Sequence, residues 1–400
     1  MTLHGIGHAA PSRAADVARR VFLATSVDLS SNGIGALFLR DLMASQAETA
    51  FAIHEEQPFL MGDGGLLPHA LMRLFRAAAA RAPRFQSMRL RFFRTFLAGR
   101  RAATIAAKAD AAQAERIWIT ASSAEMIWVA ERLAAMGRDL RVTVWDAPEY
   151  LSGNLRLNPA LHEALMRGFG SMLRQARAVS VIGHAMHKDY RERYGVVSEI
   201  IRHGIEIGPR PAVRKHGERK DIRIVFAGSL YSKEEWNSFV AALEEAGWRV
   251  GDRPVSLHFM GRFPLSAARK PKEVVFLGEK PFEEALEILS TMDIGYLPYW
   301  FDERHKLVAS TSFPGKMTAY TAAGLAIFHH APPYTEVTAF LEKYKFGISC
   351  ASLDACQILK SLDKLADMSV TEEFRQARRA ALKDELSSDV MSKRFKNFIN

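Results

Sequence analysis

The stretch "TSFPGKMTAYTAAGLAIFHH" (311–330) passes from a turn, through a helix, to a strand. Pro314 restricts the way into the helix, and Gly324 stands where a left-handed residue ends one, just before an apolar run. The N-terminus of such a helix carries unpaired N–H groups and the positive end of the dipole. Ser312, Gly315 and Lys316 sit at that end. The unit therefore reads as one strand-to-helix junction of an open α/β sheet, turned towards an anion.

Outward from this stretch, short apolar runs alternate with helical patterns over most of the 400 residues. The expected strands are 21–25, 50–54, 116–120, 141–145, 178–182 and 198–202, then 222–228, 256–261, 273–278, 293–298 and 325–330. Strands separated by helices predict parallel sheets covered on both faces. The segment "GIEIGPRPAVRKHGERKD" (204–221) has no apolar periodicity and reads as a linker. The expected organisation is a tail (1–20), a first Rossmann-like domain (21–204) with a basic insert (66–108), a linker (205–220), a second such domain (221–372) and terminal helices (373–400). In the last helix Val390, Met391, Phe395 and Phe398 recur at helical spacing. They allow either local packing or a crossover onto the first domain.

Composition narrows the classes. A hydrophobic share of 48% and a charged share of 24% are those of a globular protein. No apolar run is long enough to cross a bilayer, and the first twenty residues lack a signal-peptide core. Cys350 and Cys356 fit no metal pattern and read as free thiols of a cytoplasmic chain. Between Gly64 and Ala109 there are nine arginines, one lysine and no acidic residue, which equals the whole net charge of +10. Such a patch seeks phosphate. Arg89, Arg91 and Arg94 surround Phe92 and Phe93, with Phe96 and Leu97 on the same side, as in a helix lying on an anionic membrane surface. The same side packed on the first domain, with its arginines solvated, is the alternative to membrane docking. Nucleic acid is not expected, because no zinc, helix-turn-helix or RNP pattern accompanies the charge.

A second junction strengthens the first. "IVFAGSLYSKEEW" delivers Gly228 and Ser229 to a strand end and Lys233 to a helix start, a set able to hold a diphosphate. The Walker lysine pattern is absent. Two lysine-and-glycine junctions on one sheet edge mark the ligand edge of an α/β sheet. In the first domain "VDLSSNGIGAL" contributes Asp28, Asn32, Gly33 and Gly35, a loop for an anionic group or a plain turn.

The order "IVFAGSLYSK", "LHFMG", "VVFLGEKPFEEALEILSTMDIGYLPY" and "SFPGKMTAYTAAGLAI" resembles the nucleotide-sugar half of a GT-B glycosyltransferase, nearest the bacterial family-four kind. The resemblance spans roughly residues 20–400 and is weak over 55–110. It implies two Rossmann-like domains facing across a cleft, with the final helix crossing back. It assigns Gly228, Ser229 and Lys233 to the donor diphosphate and Lys316, with Ser312 and Gly315, to a phosphate or the donor sugar. Glu279 would serve the nucleoside, and Tyr299 would face the donor cleft or simply end a buried strand. The family's two glutamates are replaced by Thr311 and Ala319, a pair that some exopolysaccharide enzymes also lack while keeping the lysine, and a frequent histidine is replaced by Trp145.

The resemblance implies transfer from a UDP- or GDP-linked sugar to a glycan or lipid-diphosphate-linked acceptor at the inner membrane face, in exopolysaccharide or envelope glycan synthesis. No cofactor and no metal are expected, since an Asp-x-Asp motif is missing. An inverting transfer needs a base, and Asp146 is the candidate, with Glu149 second, because both follow a strand end. "DAP" also suits a turn cap. Loss of the glutamates leaves a non-catalytic scaffold as the competing reading, and a GT-B epimerase as another.

Overall fold

The computed structural model describes residues 19–31, 33–56, 83–206, 221–263, 269 and 271–400. Two parallel sheets organise it. The first contains β1 (Arg19–Thr25), β2 (Thr49–Glu55), β3 (Arg116–Thr120), β4 (Asp139–Thr143), β5 (Ala178–Val181) and β6 (Glu199–Ile200), in the order β2-β1-β3-β4-β5-β6. The second contains β7 (Ile222–Ala227), β8 (Arg249–Val250), β9 (Arg253–Met260), β10 (Val274–Gly278), β11 (Ile294–Pro298), β12 (Ala326–His330) and β13 (Gly347–Cys350). Its order is β10-β9-β7-β11-β12-β13, with β8 folded back antiparallel on β9. Every residue of β11 and β12 is buried, which is why these strands read as unbroken apolar runs.

Strand order reverses between β1 and β3 in the first sheet and between β7 and β11 in the second. Helices leave for opposite faces at such a switch point and open a crevice at the carboxyl edge. The expected strand 141–145 lies two residues earlier. Arg141 looked like a strand end but is buried, held by Asp139 at 2.8 Å and by the carbonyl of Phe398 at 2.6 Å. Trp145 and Asp146 therefore stand beyond the strand, on the crevice edge. β8 and β13 are too short to announce themselves by periodicity.

The C-terminal helix does cross back. Met391, Phe395, Phe398 and Ile399 of Ser388–Ile399 pack with Val21, Leu23 and Trp118. The preceding helix, Glu372–Ala381, was expected to cross with it, yet stays on the second domain because Phe374 and Ala381 are buried in that core. The outward and return paths touch where Ile205 N donates to Leu386 O and Ser388 N to Ile205 O. A Cβ at Gly204 would collide with the Ser387 carbonyl, so only glycine lets the strands of chain pass.

A buried ion cluster holds this crossing. Arg202 donates to Glu336 at 2.5 Å and to Glu385 at 2.8 Å, with its guanidinium 4.0 Å from the Phe313 ring centroid. Glu336, on the second domain, accepts from the amides of His184 and Ala185, the first turn of helix His184–Tyr194 on the first domain, both at 2.8 Å. Neighbouring cations hold the Glu385 carboxyl well below its usual range despite burial.

The basic insert is described from residue 83. Helix Pro83–Phe92 runs through a π-helical turn, Phe93–Leu97, into helix Ala98–Ala111. Residues 57–82, including much of the expected insert, lie outside the described residues. The expected grouping of Phe92 with Phe93 is corrected: Phe93 is 2% exposed and belongs to the first core. The exposed stripe is Met88, Phe92 and Phe96 at four-residue spacing, at 62%, 48% and 59% exposure. Arg91 is exposed beside it, Arg89 pairs with Glu125 at 2.7 Å, and Arg94 is half-buried.

Candidate functional site

The second sheet's switch point is lined by glycine. Gly228, directly after β7, has φ of 98°, and Gly261, after β9, has φ of 139°. A Cβ at Gly261 would collide with the Gly228 carbonyl oxygen, so the two strand ends close up only without side chains. Helix Gly315–Ala323 is pinned above them. The Tyr320 hydroxyl accepts from Ala227 N at 2.7 Å, and Gly295 on β11 leaves room for its ring. Gly324 ends the helix at φ of 97°.

This placement brings Lys316 over the end of β7. Its Nζ lies 4.3 Å from the Phe226 ring centroid and 5.2 Å from that of Tyr231. A Cβ on Gly228 would be 3.8 Å from it. Among the described residues no carboxylate pairs with Lys316, and burial pushes its ammonium down to about 7. Pro314, at the N-cap of the same helix, provides no side-chain cap. The amides of Gly315 and Lys316 are thus left beside a cation held without a counter-charge, which is the composition of an anion site.

The first domain meets this point directly. Helix Ile34–Ala44 also lacks a side-chain cap, and a Cβ on Gly315 would lie 2.6 Å from Ile34 Cγ1. Two uncapped helix N-termini therefore approach one another from opposite domains. Several other helices carry local caps, since Ser123, Asn158, Thr335, Asp354, Thr371 and Ser387 each accept from an amide of the first turn, while the helices beginning at Pro148, His184, Lys233 and Phe282 also lack a side-chain cap.

Asp146 occupies the opposite wall. Its carboxylate is open to solvent but enclosed by the cleft sides, and that partial desolvation raises its pKa. Among the described residues it makes no ion pair. It lies near enough to Tyr231 and Tyr299, both from the second domain, for its charge to push their phenols further up. Tyr299 is buried and stands edge-on to His329 at 5.5 Å. His329 and His330 beneath are pushed by burial to about 3 and about 4, and stay neutral.

Other expected site residues are elsewhere engaged. Glu149 pairs with Arg193 at 2.5 Å. Asp28 folds onto the amide and hydroxyl of Ser30 at 2.9 and 2.6 Å, which keeps its carboxyl low and makes it a turn former. Gly35 makes room for Trp145, whose ring would be 3.1 Å from a Cβ there, and Gly33 is extended. Asn32 lies outside the described residues. Lys233 begins helix Lys233–Glu245 and is half-buried, with Ser229 exposed just before it. Glu279 is exposed on the rim after β10, 3.4 Å from Arg262 after β9.

The sequence reading missed Tyr231 and Trp300, whose rings stack at 5.2 Å beside Lys316. It also missed Ser26 and Ser122, 3.0 Å apart at the first sheet's switch point. The signal was available for the first pair, as aromatics within four residues of two strand ends.

The sequence matches no protein-family model and no curated protein. Solved structures of similar fold include sucrose-phosphate synthase from Thermosynechococcus elongatus, at 13% identity and TM-score 0.63 over 95% of this chain and 98% of that one. A UDP-forming α,α-trehalose-phosphate synthase from Burkholderia xenovorans, in complex with glucose-6-phosphate, has 14% identity and TM-score 0.58 over 95% and 98%. HepE from Anabaena, in complex with UDP and glucose, has 12% identity and TM-score 0.54 over 95% and 98%. At these identities the likeness shows the fold, which is GT-B, along nearly the whole length of each chain.

Proposed function

We propose that this chain transfers a sugar from a UDP- or GDP-linked donor to a hydroxyl of a glycan or lipid-linked acceptor. The observation that carries the reading is Lys316, without a carboxylate partner among the described residues, beside an uncapped helix N-terminus, with Asp146 of the first domain near Tyr231, the ring that borders this lysine. The donor diphosphate would rest on Lys316, the Gly315 amide and the glycine edge at Gly228, with Lys233 nearby and the nucleoside towards Glu279. Asp146 takes the proton of the acceptor hydroxyl as its oxygen attacks the anomeric carbon and the bond to the diphosphate breaks, an inverting transfer. Lys316 and the helix amides hold the charge that develops on the leaving group.

Fold neighbours in complex with UDP and glucose, or with glucose-6-phosphate, support the substrate class. The exposed Met88–Phe92–Phe96 stripe with Arg91 beside it supports a peripheral position on an anionic membrane. An envelope or exopolysaccharide role follows from the sequence resemblance alone.

The test is a thermal-shift panel of UDP, GDP, CMP and ADP on wild type and Lys316→Ala, followed by nucleotide release from the selected nucleotide-sugar with and without EDTA. The reading expects a base-specific stabilisation lost in Lys316→Ala, and EDTA-insensitive release. In Asp146→Asn it expects donor binding retained and transfer reduced by about a hundredfold or more. Wild type that no nucleotide stabilises contradicts it.

A further inference from the structure

Tyr231 has an unusual situation for a large ring at a sheet edge. It is 42% exposed, yet one of its faces is taken by Trp300 at 5.2 Å and 29°. Trp300, itself 9% exposed, has His305 stacked on it at 4.6 Å and 15°. His305 is fixed in turn by Asp302, 2.8 Å from its Nδ1. The result is a three-ring pile whose outermost member reaches the cleft. Tyr231 also lies 5.2 Å from Lys316 Nζ, and it comes three residues after Gly228, the glycine that follows β7.

The surroundings of the open part of this ring come from both domains. Asp146 and Tyr150 of the first domain are near enough to add to the rise of the Tyr231 phenol to about 12, most of which comes from enclosure. The ring is thus wet but walled. An exposed aromatic in a soluble protein's interdomain cleft, rigidly backed and bordered by a carboxylate and a lysine, presents a flat apolar surface with polar groups at its margin. That is the complement of a pyranose, which has a C–H face and a rim of hydroxyls.

We propose that Tyr231, backed by Trp300 and His305, is the platform on which the donor's sugar ring lies, next to the diphosphate at Lys316. This rests on the nucleotide-sugar reading above. The position along the edge favours the sugar over the nucleobase. Tyr231 follows β7 and Trp300 follows β11, the two strands of the switch point, whereas the nucleoside side, with Glu279 and Arg262, lies beyond β9 and β10. A rigid, pre-stacked ring loses little freedom on binding, so its contact contributes to affinity with little ordering cost.

The experiment measures binding of UDP and of UDP-glucose (or GDP and GDP-mannose, if wild type selects guanine) by calorimetry, for wild type, Tyr231→Phe and Tyr231→Ala. Expected are wild-type affinities for both ligands in Tyr231→Phe and, in Tyr231→Ala, nucleotide-sugar binding weakened about three- to tenfold more than nucleotide binding. Equal weakening of nucleotide and nucleotide-sugar overturns the proposal, because the ring would then serve the base or the diphosphate. It is also overturned if Tyr231→Ala matches wild type for both ligands, or if only added free glucose in the presence of UDP is affected. Wild type that binds no nucleotide, by contrast, overturns the underlying reading and this inference with it.

Discussion

Lys316 offers the sharpest quantitative consequence of the cleft. Burial without a counter-charge holds its ammonium at about 7 in the empty site, far below the ordinary lysine value. A bound diphosphate favours the charged form and raises that value, so binding takes up a proton wherever the empty site is neutral. Affinity is therefore full below the free-site pKa and declines as pH rises through it. With a midpoint near 7, the protonated fraction falls from about 0.9 at pH 6 to about 0.1 at pH 8, so the dissociation constant rises about tenfold across that interval. A nucleotide-sugar is the ligand to use, because its diphosphate diester does not itself titrate there, unlike the terminal phosphate of UDP. Titration calorimetry in buffers of different ionisation enthalpy at pH 8 should show uptake of close to one proton. Lys316→Arg, charged throughout, should flatten the pH dependence even if it binds more weakly. An affinity for wild type that is constant from pH 6 to pH 8, with no proton uptake, refutes the argument that Lys316 meets the phosphates.

Two further outcomes follow from the structure. Arg202→Met leaves Glu336 and Glu385 buried without their shared cation, and should cost about 3 kcal/mol, the low end for a broken buried pair because both carboxylates keep other partners. If the two domains unfold together, that is roughly 4 °C in thermal melting, and an unchanged melting temperature would show that the cluster does not hold the domains. The double variant Phe92→Glu with Phe96→Glu should reduce co-sedimentation with vesicles rich in anionic lipid by about tenfold or more, and equal sedimentation of variant and wild type refutes the docking face.

Much of the site's chemistry was legible in the chain because it is encoded within a few residues. Pro314, Gly315 and Lys316 before a run of small residues, closed by Gly324, state a helix with an open N-terminus. Gly228 after an apolar strand states a sheet edge where side chains are excluded. Gly33 and Pro314, which provide no side-chain cap to the helices beginning at Ile34 and Gly315, were also written locally. Their lack of a cap acquires meaning only against the capped helices elsewhere.

The sequence by itself determined that parallel sheets would form, where most strands lie, and which lysine and glycines stand at the carboxyl edge of the second sheet, since period and turn chemistry are local properties. Tertiary structure decided which carboxylate stands free. Asp146 and Glu149 look alike after one strand end, but only the pairing of Glu149 with Arg193, 44 positions away, removes one of them, whereas the contact of Asp28 with Ser30 is local. It also decided that Phe93 turns inward while Phe92 and Phe96 turn out, because a π-helical turn shifts the helical phase. The Tyr231–Trp300 pair joins residues 69 positions apart, and the Arg202 cluster joins both domains to the returning C-terminus. Such contacts depend on chain crossings far apart in sequence, and no local pattern carries them.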